Sequence, residues 1–471
     1  MNTFKKTTLY TALAGIGALG MAGTANAVHV NPDGLGQVLI YPYYTTQTSG
    51  VAQPFNSLLS VVNSTASAKA VKVRFLEGKN SREVLDFNLY LSPRDVWVAG
   101  VVPAGVTANS GAGIYTPDKS CTTPVVSADA TNPTLFVNYA YAGDSGGDGL
   151  DRTREGYVEI IEMGNVTGTT AAAVLHDPAT GNVPCTAAGL TDSVAQANTV
   201  LGNGGLFGGI TLINVLSGED VTADAVALEA FRTTGSPIWF APGVTLPDLT
   251  LANPPQTEIF NGSTATTYGF ATGIDAVSAA LMHNTLMNEY VLDTATKSGT
   301  DWVVTFPTKR FYVSSGAALP PFQRPFSGGT SCDDILVTTW DREERTVVVQ
   351  TGFSPPPPQG GGTALCYEAN VVTFKGSNVL GSANVVDIVA SNLPSGAQNG
   401  WALFDLTQSV GGTAVPAHRL ASLNPVATFH GLPVIGFMVE TFNNGNIPSG
   451  SAIVQSAYGG NFVHKTTRLI N

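Results

Sequence analysis

Residues 143–147 read GDSGG, the spacing of a catalytic serine motif centred on Ser145. Acyl transfer by a serine needs a histidine that removes the hydroxyl proton and a carboxylate that orients the histidine. In proteases with this motif both partners precede the serine, but His29 is the only histidine before Ser145. Asp148 stands where such proteases usually carry proline. The sequence therefore predicts no protease activity at this serine.

The same residues fit the G-x-S-x-G turn of α/β-hydrolases, in which the serine lies between a strand and a helix. Residues 135–142 read as a strand, but residues 149–156 read as a loop rather than a helix. The strand–helix–strand units of that fold are also missing elsewhere in the sequence. We predict a protein that is not an enzyme, and a serine hydrolase using Ser145 is the least favoured alternative.

A third interpretation of this segment is a calcium loop. Asp144, Asp148 and Glu155 fall at the first, fifth and twelfth positions of the calcium-loop pattern, in which oxygen ligands surround the ion. Gly146 occupies the third position, which normally carries Asp or Asn, and Asp151 could supply the missing oxygen. The alternative is a plain hairpin turn, because Asp and Gly are common turn residues. The cofactor prediction is none, with calcium at these four carboxylates as the single candidate.

Strand-like alternation on both sides of this segment indicates the fold class. Apolar and cationic residues alternate over residues 71–75, which predicts a strand with one buried face and one face in water. Residues 85–91 and 157–163 also read as strands, whereas residues 275–290 are the best helix candidate. The prediction is a mainly β protein with antiparallel β-sandwich-like domains and few short helices.

The two ends of the sequence and one proline-rich stretch predict the domain organisation. Lys5 and Lys6 precede an apolar run over residues 9–22 and the small residues of 25–27, which together form a secretory signal peptide, residues 1–27. Five prolines over residues 237–255 indicate a connector. We predict an N-terminal β-sandwich-like domain at residues 28–245 and a C-terminal β-rich domain at residues 246–471.

The charge and composition of the chain exclude some classes of binding partner. The chain is acidic, with a formal net charge of −12, so nucleic acid and anionic membrane surfaces are poor partners. Charged residues make up only 12% of the chain, against about 25% in a typical soluble domain. Low charge of this kind suits secreted β-proteins and self-assembling surface layers. We expect an exported protein of the periplasm, cell surface or extracellular space, without a transmembrane segment in the mature chain, whose partners are copies of itself or other envelope components.

Four cysteines allow three disulfide connectivities, and export makes disulfides permissible. We favour Cys121–Cys185 and Cys332–Cys366, because this pairing keeps each bridge within one half of the chain.

Four blocks of sequence resemble a group of poorly characterised secreted β-rich envelope or surface proteins of Gram-negative bacteria. The blocks are GQVLIYPYYT at 36–45, DGLDRTREGYVEIIEMG at 148–164, DWVVTFPTKR at 301–310 and LCYEANVV at 365–372. The resemblance implies an exported envelope or surface protein, and it supplies no activity and no site residues.

Two functions follow as hypotheses. The first is a secreted, non-enzymatic structural protein of the cell surface or envelope that assembles with itself. The alternative is an extracellular adhesin or glycan-binding module, assisted by calcium, in which exposed aromatic side chains such as Tyr41, Tyr43 and Tyr44 stack on sugars. The same tyrosines could instead fill the edge of a core.

Overall fold

The computed structural model of the protein describes residues 27–48, 53–347, 361–407, 418–450 and 452–471. Of the predicted signal peptide, only Ala27 lies within these ranges. The described chain is mainly β, with antiparallel sheets and four short α-helices, so the predicted fold class is confirmed. Among its paired strands, one pair runs parallel, Ala369–Phe374 with Val385–Ile388.

The first half of the chain forms two large sheets that pack face to face. The eight-stranded sheet contains, in spatial order, His29–Val30, Val226–Glu229, Val38–Thr45, Glu155–Val166, Lys69–Glu77, Glu83–Leu91 and Cys121–Thr123, with Thr199–Val200 paired to Glu155–Val166. The six-stranded sheet contains Glu219–Asp224, Leu206–Asn214, Asn56–Asn63, Val96–Pro103, Ala112–Tyr115 and Thr134–Leu135.

The second half forms two five-stranded sheets. One, which we call the tryptophan sheet, contains Gly361–Leu365, Asp333–Asp341, Asn399–Asp405, Thr285–Val291 and Lys465–Thr467. The other, which we call the central sheet, contains Val385–Ile388, Ala369–Phe374, Gly299–Thr305, Ile435–Ser449 and Ala452–Val463.

Short elements complete the described chain. The smaller strands are Gln256–Asn261 with Thr264–Gly269, Met282–His283 with Leu432–Pro433, Val313–Ser314 with Ala317–Ala318, and Arg419–Ala421 with Thr428–His430 and Leu469–Ile470. The α-helices are Gly168–Val174, Ala187–Leu190, Asp192–Ala197 and Gly273–Leu281. The 3₁₀ turns are Ala108–Ser110, Tyr139–Tyr141, Leu150–Arg154, Leu249–Leu251, Lys309–Phe311 and Ala390–Asn392. No helix in the described part of the chain is long and apolar enough to span a membrane.

The two main hydrophobic cores are shared between the halves. The core inside the first sandwich includes Leu39, Val73 and Trp97, and the central sheet contributes Val303 and Phe437 to it. The core between the central and tryptophan sheets likewise receives side chains from the opposite face of the eight-stranded sheet: Val38, Ile40, Leu76, Tyr157, Ile161 and Leu228. Strands before about residue 245 thus form two of the four large sheets and strands after it form the other two, but side chains from both halves pack in the same cores. The predicted division into two domains stays a prediction.

The cationic face predicted to lie in water is buried. Every residue of Lys69–Glu77 is buried. On the cationic face of the strand, the proline-rich stretch 237–255 lies over Lys72. The Lys72 ammonium donates a hydrogen bond of 2.8 Å to the Ala241 carbonyl, and Asn88 donates one of 3.0 Å to the Phe240 carbonyl. The stretch read as a connector is therefore a cover for a charged sheet face.

Two other local predictions were wrong in part. The predicted helix at residues 275–290 begins at Gly273, where Thr272 accepts a hydrogen bond from the Asp275 backbone N–H, but it ends at Leu281. Met282–His283 then pair with Leu432–Pro433, and strand Thr285–Val291 follows, because pairing with Asn399–Asp405 overrides local helix preference. The predicted strand at 135–142 contributes only Leu135 to a sheet, and a 3₁₀ turn follows it.

Candidate functional site

Asp144, the first residue of the predicted calcium loop, is bound by an arginine of the same segment. The Arg152 guanidinium donates to both Asp144 carboxylate oxygens, at 3.0 and 2.8 Å, and Asn80 donates to the same carboxylate at 2.8 Å. Arg152 also pairs with Glu77 at 3.1 Å and lies over the Tyr141 ring, 3.9 Å from its centroid. Asp144 is only 2% exposed, so these contacts replace water around its charge.

These contacts decide the protonation of Asp144. Burial alone would raise its pKa, but the hydrogen bonds from Arg152 and Asn80 lower the pKa to about 2. A carboxyl group whose pKa is lower in the folded state stabilises the fold above its ordinary pKa, and this contribution is lost as the pH falls toward 2. Asp144 is therefore an ionised partner of Arg152 at neutral pH, and no cation is needed to balance it.

The four predicted calcium ligands do not come together in the structure. Glu155 is buried elsewhere, where it accepts hydrogen bonds from Tyr43 at 2.7 Å, from Ser382 and from the Ala383 backbone. Asp148 and Asp151 are exposed. Within the described ranges, no group of three or more acidic, histidine or cysteine side chains could hold a metal ion. The folded segment satisfies its two buried carboxylates with protein donors instead.

We expect the melting temperature to be the same in millimolar calcium and in chelator, for the wild type and for Asp148→Ala alike. The physical reason is that Asp144 and Glu155 already have partners, so that a cation has no carboxylate cluster to stabilise. Differential scanning calorimetry in both buffers measures this. A calcium-dependent rise that Asp148→Ala abolishes would restore the calcium loop.

Ser145 is exposed on a tight turn and has a backbone φ of 60°. No histidine donates to or accepts from its hydroxyl among the residues that the structure describes. His29, the only upstream histidine, bonds the Ala27 carbonyl at 3.1 Å and packs edge-on against the Phe260 ring. The arrangement required of a serine nucleophile is not assembled here.

A cleft of about 500 Å³, lined by both charged and apolar side chains, opens where the two halves meet, beside the Asp144 segment. Its lining includes Arg74 and Asp144 from the first half and Arg310 and Glu368 from the second. Arg74 is 2% exposed and forms ion pairs with Glu83 at 2.7 Å and with Glu159 at 2.8 Å. Buried charge is costly unless it is paired, so the cleft is surrounded by an ion-pair network that joins the halves.

Some buried polar atoms of this network lack a hydrogen-bond partner within the described protein: Glu159 Oε1, Arg310 Nε and Nη2, and Glu368 Oε2. Arg310 Nη2 lies 3.6 Å from Glu159 Oε2, which is an ion-pair distance. Burial raises the pKa of Glu159, against the effect of Arg310 and Arg74. Burial also raises the pKa of Glu368 to about 8, although Lys309 and Arg310 oppose the shift. Titratable groups with shifted pKa values in a cleft make it a candidate site.

The tyrosines predicted as sugar-stacking residues are all buried. Tyr41, Tyr43 and Tyr44 are 0% exposed, and each hydroxyl donates a hydrogen bond inside the protein. Of the two readings of these residues, the structure selects the one in which they fill the core, and the glycan-stacking role is wrong for them.

The outer face of the six-stranded sheet is apolar and open. Leu58, Val96, Val98 and Phe207 are 39%, 50%, 41% and 42% exposed, and they lie on three neighbouring strands. The strands Asn56–Asn63, Val96–Pro103, Leu206–Asn214 and Ala112–Tyr115 carry no charged residue. We call this surface the open sheet face. Contiguous apolar surface of this kind marks interaction sites on soluble proteins.

A second exposed feature lies on the outer side of the tryptophan sheet. Trp340 and Trp401 stand opposite each other on paired strands, with ring centroids 4.1 Å apart and an angle of 12° between the rings. Trp401 remains 40% exposed although Trp340 covers one side of its ring.

The structure contains two disulfides, Cys121–Cys185 and Cys332–Cys366, as the favoured pairing predicts. Disulfides form and persist in oxidising, exported compartments, which agrees with the predicted export.

No protein-family model, curated protein or solved structure matches the chain.

Proposed function

We propose that the chain is an exported, non-enzymatic surface or envelope protein that associates with copies of itself through the open sheet face. The observation that carries the proposal is the exposed apolar cluster of Leu58, Val96, Val98 and Phe207 on strands without a charged residue. A further 360 Å³ of groove between these strands gives the face relief.

Charge favours a second copy as the occupant of this face. Two copies of a chain with a net charge of −12 repel each other, so close contact between them is favoured where charge is missing. Asp220 and Asp224 are exposed on the same side of the sheet, but they lie on its edge strand, Glu219–Asp224, away from Val96 and Val98. An apolar sheet face can pack on an identical face across a two-fold axis, as sheets pack in sandwiches.

Replacing Val98 with Glu is expected to shift the mature protein from oligomer to monomer, with association weakened at least about tenfold. The variant places a charge at the centre of the face, where pairing would bury two copies of it without a partner. Sedimentation velocity over a concentration series measures the change. Val426→Glu is the matched control, because Val426 is 86% exposed and lies outside the face, so its assembly should match the wild type.

A wild-type protein that stays monomeric at the highest concentrations, or a Val98→Glu variant that assembles like the wild type, would contradict the proposal. Circular dichroism of the variant shows whether it is folded. Val98 is already 41% exposed, so a charge there does not enter the core.

A further inference from the structure

We propose that Trp340 and Trp401, together with the polar groove at the end of their strands, form a binding site for an uncharged carbohydrate chain. The proposal does not depend on self-association through the open sheet face, since the residues concerned belong to a different sheet.

The aromatic half of the site is a fixed platform. Trp340 and Trp401 are direct cross-strand partners, and one face of each ring is covered by the other ring. The strands approach closely at Gly400, where a Cβ atom would lie 1.9 Å from the Trp340 carbonyl oxygen. The Tyr290 hydroxyl donates to the same oxygen at 3.0 Å. The backbone beneath Trp340 is therefore fixed by its neighbours, and each indole ring is stacked against the other, which reduces the side-chain order that has to be gained on binding.

The polar half lies at the end of the same strands. A groove of about 400 Å³ is lined by Arg342, Glu343, Arg345, Gln398 and Asn399 together with small residues. Asn399 stands two positions from Trp401 on one strand, so both side chains lie on the same face of the sheet. The Arg342 backbone N–H donates to the Asn399 carbonyl at 3.0 Å, which places the groove directly beside the platform.

The charges of the groove are already paired, so no unpaired charge in it favours a strongly charged ligand. The Arg342 Nε lies 2.7 Å from Glu343, and the Arg345 guanidinium lies 2.6 Å from Asp341. One neutral group in the groove still lacks a hydrogen-bond donor. The Asn399 Oδ1 is buried without a donor among the described residues. A ligand hydroxyl can donate to this oxygen and accept from a neighbouring donor at the same time.

A ligand that suits both halves needs an apolar face for the exposed side of an indole ring and hydroxyl groups at its edge. Pyranose rings have this combination, because their axial C–H groups form an apolar face and their equatorial hydroxyls form a polar rim. A chain of such rings can cover the platform and the groove together. The geometry therefore assigns neutral oligosaccharides as the ligand class.

The test uses the Val98→Glu variant as the background, so that self-association does not obscure binding. A panel of uncharged oligosaccharides of glucose, mannose, galactose and N-acetylglucosamine is titrated while tryptophan fluorescence is recorded, and binding is repeated by calorimetry. We expect at least one member of the panel to bind, Trp401→Ala to weaken it about tenfold or more, and Trp401→Phe to retain most of the affinity. Tyr139→Ala is the matched control, because Tyr139 is 84% exposed in a different half of the chain.

Asn399→Ala provides a second variant with the platform intact. We expect it to weaken the same oligosaccharide several-fold, because a hydroxyl of the ligand loses its acceptor. If no member of the panel binds, or if Trp401→Ala and Tyr139→Ala bind equally well, the proposal is wrong. Failure of Val98→Glu to remain monomeric would overturn the self-association proposal, whereas absence of oligosaccharide binding in a monomeric Val98→Glu background would overturn only the carbohydrate proposal.

Discussion

Replacing Arg152 with Met should lower the free energy of unfolding by about 3–5 kcal/mol, the usual cost of breaking a buried ion pair from one side. The guanidinium holds Asp144 through two hydrogen bonds and pairs with Glu77, and both carboxylates are buried. Met fills a similar volume but donates nothing, so two buried negative charges would remain without their main cation. Urea unfolding at neutral pH, with both disulfides intact, measures the loss.

The control for this prediction is Arg324→Met. Arg324 also pairs with a carboxylate, Asp334, at 2.9 Å, but its side chain is 57% exposed. An exposed pair contributes about 0–1 kcal/mol, so the control should stay close to the wild type. Adding Asp144→Asn to Arg152→Met removes one of the two stranded charges and should recover part of the loss. Similar small effects in both arginine variants would show that the buried network does not hold this segment.

The partner of Asp144 could be inferred only in part from the spacing of the motif. The spacing of the acidic residues was visible in the sequence, but the cation that balances Asp144 is Arg152, in the same stretch. A calcium loop leaves its carboxylates without such a partner, so an arginine among the ligands was the signal that favoured the turn. The second partner, Glu77, is 75 residues away and could not be inferred from spacing.

The strands could be predicted because their alternation is visible within a few residues. The segments that cover each face of a strand come from elsewhere in the chain and could not be predicted in this way. The period of two over residues 71–75 correctly indicated a strand with two different faces. Lys72 and Arg74 were assigned to water because cations usually lie there. Their burial depends on the stretch 237–255 and on Glu159, which the chain brings to the sheet from far along the sequence.

The exposed tryptophan pair could not be predicted either, because it depends on contacts between distant parts of the chain. Trp340 and Trp401 are 61 positions apart in the sequence, and only the strand register places their rings together. Each stands in a stretch with strand-like alternation, on the face away from the core, and an outward-facing tryptophan was the one local sign available. The tyrosines at 41, 43 and 44 gave a stronger local signal but are enclosed by sheets that form later in the chain.

Glu368 should make the protein less stable as the pH rises from about 4.5, the ordinary pKa of a glutamate, to about 8, the pKa of Glu368 in the folded protein. Over that window the folded state keeps the proton that the unfolded state has lost, because burial of Glu368 raises its pKa to about 8. When the folded state binds the extra proton, the free energy of unfolding falls by up to about 1.4 kcal/mol per pH unit. The contribution is small below the window, and it becomes constant above it.

Replacing Glu368 with Gln should remove this slope, since the amide is neutral at every pH and has nearly the same shape. We expect urea unfolding at pH 5, 6.5 and 8 to show that the free energy of unfolding of the variant rises relative to that of the wild type at each step. At pH 8 the difference should have grown by several kcal/mol in total. Asp301 and Glu229, whose pKa values burial also raises to about 7, add slopes that both proteins retain. The quantity to compare is therefore the difference between the two proteins at each pH.

Glu344→Gln is the control for this experiment, because Glu344 is exposed and its replacement should leave the pH dependence parallel to that of the wild type. A constant difference between Glu368→Gln and the wild type across the three pH values would mean that Glu368 is ionised in the folded protein. In that case the attraction of Lys309 and Arg310 outweighs the cost of burying the Glu368 charge, and every member of the ion-pair network between the two halves is charged. A widening difference instead places a proton in the wall of the cleft at neutral pH, where Glu368 can donate a hydrogen bond.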